Sequence, residues 1–313
     1  MENKCLYCYK GLDEEIDFHQ ACSLEFFGVK NPPQLSYLID EMHELAKHVV
    51  ERRVSVPGVQ SKLSMSVVKE KTKSRLTVVD ALGGNYILKP PTIQYPEMPE
   101  NEHLTMRLAE LCGIKVVSSA LIRLKSGELS YITKRIDRAN SGDKIHMLDM
   151  FQITEAVDKY KSSMEKVGKA IDKCSANTLL DKLIFFEITV FSYLTGNNDM
   201  HLKNFSMINK NDQWVLAPAY DLLNVSVLIP EDKEELALSL EGKNCRFSKN
   251  HFESFGKNLG LNQKQIAGVF VRFEQRLDVM IDFIQNSFLS TELQEKYISL
   301  LKSRIIWLNH SLF

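Results

Sequence analysis

Three side chains carry the most chemical information in this chain: Asp199, Asn204 five residues later, and Asp221 seventeen residues after that. They sit in Thr195-Gly196-Asn197-Asn198-Asp199-Met200-His201-Leu202-Lys203-Asn204 and in Ala219-Tyr220-Asp221. The spacing is that of a phosphoryl-transfer centre. In such centres the first carboxylate takes the proton of the attacking hydroxyl. The amide and the second carboxylate hold the magnesium ions that neutralise the nucleotide phosphates. Asp and Asn also crowd into ordinary loops, so the spacing by itself leaves a structural turn as the alternative.

The elements that must hold these residues are legible around them. An apolar-periodic run at residues 179–194 predicts a helix leading into the loop. Residues 205–208 predict a strand, Asn209-Lys210-Asn211-Asp212-Gln213 a turn, and residues 214–217 a second strand that returns Pro218 to Asp221 to the same place. Upstream the pattern is strand-rich, with β-like runs at 63–68, 75–79, 85–89, 116–121 and 129–136. One helix interrupts them at 100–112, with Gly113 as its stop. From about residue 148 onward the periodicity is almost wholly helical apart from the hairpin, the longest helices falling at 263–288 and 291–309. The expected fold is α+β and bilobal: a small strand-rich N-lobe over 31–136 and a larger, mostly helical C-lobe over 137–313. A Cys-rich segment over 1–30 precedes them.

Nucleotide-binding parts can be sought in order. Strand 85–89 ends in Lys89 and is halted by Pro90-Pro91. A lysine there reaches the α and β phosphates if an acid on the next helix holds it. Glu102, in the first turn of that helix, is the leading candidate, and Glu110 lies two turns on. The competing reading is a solvated lysine and a Glu favoured at a helix N-terminus. Ser55-Val56-Pro57-Gly58-Val59-Gln60-Ser61-Lys62 lies where a phosphate-covering turn belongs. Its one glycine excludes both the Walker loop and G-x-G-x-x-G, but the amides of a tight turn can cradle phosphate oxygens with Lys62 nearby. Residues 133–136 would offer backbone to an adenine edge.

With Asn101-Glu102-His103-Leu104, Lys134-Arg135-Ile136-Asp137-Arg138, Leu148-Asp149-Met150-Phe151-Gln152 and Pro218-Ala219-Tyr220-Asp221-Leu222 following in sequence, the chain resembles the HipA family of bacterial toxin serine/threonine kinases. It is most similar to the short HipT branch. The most specific element is Asp-x-His-x-Lys-Asn-Phe-Ser at 199–206, and the resemblance spans roughly residues 53–225. It implies a kinase-like fold and ATP–Mg²⁺-dependent phosphorylation of a protein, in relatives an aminoacyl-tRNA synthetase, within a toxin–antitoxin system. It implies Asp199 as base, with His201, Lys203 and Asn204 around the phosphates and metal. Asp221 would be the main magnesium ligand, next to Tyr220, and Lys89, paired with Glu102, the phosphate lysine. Pro57, Gly58, Val59, Gln60, Ser61 and Lys62 would form the ATP loop, Lys134, Arg135 and Ile136 the hinge, and Ser55 the autophosphorylated position. Ser61 stands where many relatives carry Glu, and Lys134 where some carry an acid. Barely fifty residues precede the ATP loop, so the larger N-terminal subdomain of HipA proteins is expected to be missing, as in HipT, where HipS is a separate protein. HipS-like and HipB-like antitoxins are the implied partners.

A second constellation stands apart from the first. Cys5-x-x-Cys8, ten residues, then His19-x-x-Cys22 is a ligand spacing suited to one tetrahedral, structural zinc ion. The alternative is reduced, packed cysteines with Phe18, Phe26 and Phe27 in the core. Cys112, Cys174 and Cys245 sit singly in apolar contexts and read as core fillers.

Composition closes off other classes. At 313 residues, 44% apolar and 25% charged, the chain has an ordinary globular make-up and length enough for two lobes. With 39 basic and 40 acidic residues, nothing argues for nucleic-acid or membrane binding. Met1-Glu2-Asn3-Lys4-Cys5 lacks an apolar signal core, and Asp181, Lys182 and Glu187 break the longest apolar run. A cytoplasmic chain is therefore expected. Two other functions compete. An aminoglycoside-type phosphotransferase would carry its loop histidine before the Asp, whereas His201 follows Asp199. A catalytically silent kinase-fold binding protein would have lost a phosphate or metal residue, whereas Lys89, Asp199, Asn204 and Asp221 are all present.

Overall fold

The computed structural model describes residues 3–13, 16–51, 62–69, 74–79, 83–139 and 141–310. The chain divides into two compact units, Met1–His103 with Val117–Gly142, and Leu104–Val116 with Asp143–Phe313.

The first unit is built on a five-stranded antiparallel sheet. Its strands are β1 (Leu63–Lys69), β2 (Ser74–Val78), β3 (Tyr86–Lys89), β4 (Ser119–Arg123) and β5 (Leu129–Lys134), in the order β2-β1-β3-β5-β4. Leu63 and Met65 of β1, Leu88 of β3 and Ile132 of β5 share one buried face, while Leu121 of β4 and Tyr131 of β5 are buried on the other. Register sets Leu88 of β3 opposite Ile132 of β5, and Lys89 opposite Tyr131. Helices α1 (Gln20–Phe27) and α2 (Ile39–Glu51) precede the sheet. Helix α3 (Met98–Leu111) starts here, with Pro99 in its first turn, and its second half belongs to the other unit.

The amino-terminal segment is part of this unit's packing. Phe18, Phe26 and Phe27 are buried, and Phe26 and Phe27 lie edge-on to each other at 4.7 Å between centroids. The Leu121 N–H donates to the Leu6 carbonyl at 3.0 Å, and the Tyr86 hydroxyl donates to the Phe26 carbonyl at 3.2 Å.

The second unit is mainly helical. It contains β6 (Met147–Asp149), α4 (Met150–Ile153), α5 (Met164–Cys174), α6 (Thr178–Thr195), β7 (Ser206–Lys210) and β8 (Gln213–Leu216). Then come α7 (Val225–Leu228), α8 (Lys249–Asn258), α9 (Gln263–Gln275), α10 (Leu277–Gln285) and α11 (Thr291–His310). β6, β7 and β8 form a small antiparallel sheet. α6 is apolar on nearly every side because it is the buried centre of this unit. Phe185, Phe186 and Phe191 are each fully buried, worth roughly 1.5–3 kcal/mol apiece. Asp181 joins helix and hairpin, accepting from the Ser175 hydroxyl at 2.6 Å and the Leu216 N–H at 2.7 Å.

Several sequence expectations need correcting. The run at 263–288 is two helices, broken at Arg276, whose backbone lies at φ −90° and ψ −4°. The buried positions Phe273, Met280 and Ile284 keep helical spacing across the break, so the periodicity hid it. Residues 147–149 are a strand rather than the start of helix, and the strand expected at 116–121 lies at Ser119–Arg123. Cys112 is buried as expected, but Cys174 is exposed at the end of α5 and Cys245 half-buried. Among the described residues no helix is long and apolar enough to cross a membrane.

Candidate active site

The loop that follows α6 is held from several directions. Gly196 caps the helix at φ 73°, and a β-carbon there would lie 2.5 Å from Asn224 Oδ1 and 2.6 Å from Leu300 Cδ2. Only glycine fits both the left-handed backbone and the space. The Asn198 amide donates to the Asp232 carboxylate at 2.9 Å and the Glu234 carbonyl at 3.1 Å. Asn204 Nδ2 donates to the Asp199 carbonyl at 2.9 Å. The five-residue spacing therefore closes a loop on itself and presents both side chains from one short turn.

A segment unrecognised in the sequence docks onto this loop. The Tyr160 hydroxyl donates to Asp199 Oδ1 at 2.8 Å, and its ring meets that of His201 edge-on at 5.1 Å. Lys159 Nζ lies 3.0 Å from His201 Nε2, while the Leu202 N–H donates to the Lys159 carbonyl at 3.1 Å. Burial lowers the His201 pKa, with Lys159 adding to the fall and Asp199 opposing it. The ring is thus neutral at pH 7 and accepts from the Lys159 ammonium. Burial and the nearby Asp199 raise the Tyr160 phenol, which stays a donor.

Asp221 and Tyr220 complete this cluster. The Tyr220 hydroxyl donates to the Lys203 carbonyl at 2.9 Å and lies 2.5 Å from Ser206 Oγ, tying the residue before Asp221 to the loop and to β7. Lys203 Nζ lies over the Phe151 ring at 4.8 Å. The Ala219 N–H donates to the Lys115 carbonyl at 2.9 Å, and Asp221 then holds a φ of 55°. Left-handed backbone at a non-glycine residue is uncommon, is tolerated best by Asn and Asp, and clusters at functional sites.

In the first unit Lys89 and Glu102 meet, Nζ to Oε1 at 2.5 Å, with 3% and 0% of each residue exposed. The Tyr131 ring lies 5.2 Å below Lys89 Nζ. Glu110, the other candidate acid, is on the surface and pairs with Arg107. Lys134 is turned to the amino-terminal segment: Nζ donates to the Glu25 carbonyl at 3.0 Å and lies over the Phe26 ring. The Arg135 N–H donates to the Asn85 carbonyl at 2.8 Å, its guanidinium pairs with Asp137, and Ile136 is half-buried. Lys62 is exposed. Ser55, Pro57, Gly58, Val59, Gln60 and Ser61 lie outside the described residues.

Away from these residues, the ligand atoms of Cys5, Cys8, His19 and Cys22 all lie within 4.8 Å of one another, a set that can hold a metal ion. His19 Nδ1 is 3.5 Å from Cys8 Sγ and 3.8 Å from Cys22 Sγ, and Nε2 donates to the Gly11 carbonyl at 3.0 Å. Burial raises the Cys8 and Cys22 thiols, with Cys5 adding to both rises and Cys8 to that of Cys22. Burial acts the same way on Cys5 but is outweighed by N–H groups of Cys8 and Tyr7 donating to its sulfur, and the net shift is downward.

Comparisons with known proteins give the family and the fold. The family model described as HipA-like C-terminal domain matches residues 54–280, and the chain belongs to that family. A Haemophilus influenzae protein named "Putative kinase" is 32% identical over 246 residues, covering 69% of this chain and 70% of the relative. The serine/threonine-protein kinase toxin HipA of Shewanella oneidensis is 25% identical over 252 residues, covering 72% of this chain and 56% of that one. Among solved structures, HipA from the Shewanella oneidensis complex with HipB and operator DNA aligns with a TM-score of 0.68 at 21% identity. That alignment covers 84% of this chain and 71% of HipA. The fold is kinase-like.

Proposed function

We propose that the chain is a serine/threonine protein kinase using ATP and Mg²⁺, acting in the cytoplasm as the toxin of a HipA/HipT-like toxin–antitoxin system. The observation that carries this is the Asp199–Asn204 turn, which aims a carboxylate and an amide from one loop while Tyr220 ties Asp221 to the same loop. Asp199 accepts the proton of the substrate hydroxyl as its oxygen bonds to the γ-phosphorus and ADP departs. Asn204 spends its Nδ2 on the Asp199 carbonyl, which leaves its amide oxygen, with the Asp221 carboxylate, as hard oxygen donors suited to Mg²⁺. The ion, when bound, neutralises charge on the phosphates. His201 and Lys203 flank them, and Lys89, held by Glu102, takes the α and β phosphates. Pro57 to Lys62 cover the phosphates, Lys134 to Ile136 offer backbone to the adenine, and Ser55 is the autophosphorylation site.

The protein substrate in this reading is a translation component such as an aminoacyl-tRNA synthetase, and HipS-like and HipB-like proteins neutralise the enzyme. The likeness to a HipA found with HipB supports the partner class. Cys5, Cys8, His19 and Cys22 hold one structural Zn²⁺, supported by the convergence of their ligand atoms.

The test is incubation with ATP–Mg²⁺ and cytosolic extract, followed by phosphosite mass spectrometry of enzyme and extract. The expected result is phosphoserine on a translation protein and at Ser55, both absent with Asp199→Asn. Phosphorylation of a small molecule alone would transfer the assignment to the aminoglycoside-type class, and no Asp199-dependent phosphate anywhere would leave a silent binding protein.

A further inference from the structure

We propose that the Cys5–Cys8–His19–Cys22 site, loaded with zinc, is a clamp that positions the Lys89–Glu102 pair, acting through Tyr9 and His103. The proposal rests on the kinase reading for its effect on ATP, and on geometry alone for the clamp.

Two edges of the site have the dimensions of a tetrahedron around zinc, and all four ligand atoms lie within 4.8 Å of one another. Zn–S bonds of about 2.3 Å and Zn–N bonds of about 2.0–2.1 Å make ligand–ligand edges of roughly 3.5–3.8 Å. The His19 Nδ1 distances to Cys8 and Cys22 sulfur, 3.5 and 3.8 Å, are such edges. The tautomer is also set. Nε2 carries the proton given to the Gly11 carbonyl, so Nδ1 turns its lone pair to the sulfurs, as an outer partner fixes a metal-bound imidazole. His19 stands immediately before α1 and Cys22 lies in its first turn, a three-residue spacing that puts both on one face. Cys5 and Cys8 sit in a tight turn in which the Tyr9 N–H donates to the Cys5 carbonyl and the Cys5 N–H to that of Lys10, both at 2.9 Å. Three sulfurs gathered in this way repel once ionised, and a thiophilic divalent cation removes the repulsion.

Tyr9 leads from this turn to the nucleotide lysine. It is the residue after Cys8 and holds a φ of 65°, a conformation that favours glycine. A tyrosine kept there is explained by what its side chain reaches. Its hydroxyl lies 3.0 Å from His103 Nδ1, and the two rings meet edge-on at 5.3 Å. His103 follows Glu102 in α3, and the Tyr131 ring lies against both the His103 ring, at 6.4 Å, and Lys89 Nζ, at 5.2 Å. Tyr9, His103, Tyr131, Lys89 and Glu102 are all buried. A buried ion pair is favourable only while its geometry is held, so the group that fixes the first turns of α3 fixes the pair. The metal touches no substrate in this arrangement, and Tyr9 and His103 are positioning residues.

The experiment compares full-length wild type, zinc-stripped and zinc-restored protein, and the variants Tyr9→Phe, Tyr9→Gly and Cys8→Ser. Zinc content is read by elemental analysis, amide hydrogen exchange over residues 98–103, and KM and kcat for ATP. Wild type should carry one zinc. Stripping should raise exchange over 98–103 and increase KM for ATP five-fold or more with a smaller change in kcat, and added Zn²⁺ should reverse both. Tyr9→Gly suits the left-handed turn, so it should keep its zinc while showing the raised exchange and KM, and Tyr9→Phe should show a lesser rise. Should Cys8→Ser fail to fold, the stripped and restored protein still decides. Metal-free wild type with low exchange at 98–103, or stripping that leaves that exchange unchanged, overturns the clamp. If zinc and exchange behave as stated but neither stripping nor Lys89→Ala alters ATP binding, the clamp stands and the kinase reading fails.

Discussion

The Tyr160 hydroxyl hydrogen-bonds to Asp199 Oδ1 at 2.8 Å from a position 39 residues upstream. In the proposed reaction the same carboxylate receives a proton from the substrate hydroxyl, so the phenol stands where one donor to that carboxylate is wanted. A hydrogen bond to a charged group is worth about 1.5–3 kcal/mol, and the part-exposed setting of Tyr160 takes the lower end of that range. Tyr160→Phe should therefore leave the Asp199 carboxylate less firmly oriented and lower kcat/KM by about ten-fold. An unchanged kcat/KM would make the contact incidental.

Asp199 and Asp221 should fail differently. Asp199→Asn should reduce phosphoryl transfer by about 10²–10⁴-fold with ATP affinity nearly unchanged, because a base acts on the nucleophile. Asp221→Asn should also weaken Mg·ATP binding, since it removes charge from a metal ligand. Calorimetric titration beside a kinase assay separates them, and near-normal turnover in Asp199→Asn would remove it from the mechanism.

The Lys89–Glu102 contact predicts a separation of stability from binding. Removing one partner of a buried pair costs about 3–5 kcal/mol, whereas an apolar replacement of both is often neutral. Lys89→Met and Glu102→Gln should each lower the melting temperature. Lys89→Met with Glu102→Leu should recover most of it, while ATP binding stays lost in all three.

Glu100 gives the clearest pH dependence. Burial pushes its carboxyl from an ordinary 4.5 up to about 7, and nearby Glu97 adds to the rise. Below pH 4.5 the proton is bound in both folded and unfolded chains, and the group has no effect. Between 4.5 and 7 the unfolded chain gives up its proton first, so stability falls as pH rises, and above 7 the loss is complete. At roughly 1.4 kcal/mol per unit the penalty is on the order of 1–3 kcal/mol. Glu100→Gln should raise the melting temperature at pH 8 and leave it unchanged at pH 4, and equal effects at both would contradict the shift.

What the sequence made legible, and what it did not, follows from how far each signal reaches. Asp199 with Asn204, Lys89 with Glu102, and the four zinc-type ligands are pairs whose spacing is local or tied to one element boundary. Each could be placed from turn chemistry and periodicity. Tyr160 and Lys159 lie in an irregular stretch with no period, and only the folded chain brings them to His201 and Asp199. β6 has three residues, too few to register an alternation. Nothing in C-x-x-C-Y announces the left-handed backbone of Tyr9.

Gly196 has a consequence for genetics. In any screen for loss of the proposed phosphoryl transfer, substitutions at Gly196, Asn224 and Asn198 should be recovered as readily as those at Asp199, since a side chain at 196 collides with Asn224 and Leu300 and displaces the loop behind it. Such variants would map onto the proposed reactive residues in sequence without taking part in the reaction. The two groups part company in cell extracts: scaffold alleles should be scarce because their product is degraded, whereas Asp199 alleles should accumulate to full abundance and remain inert.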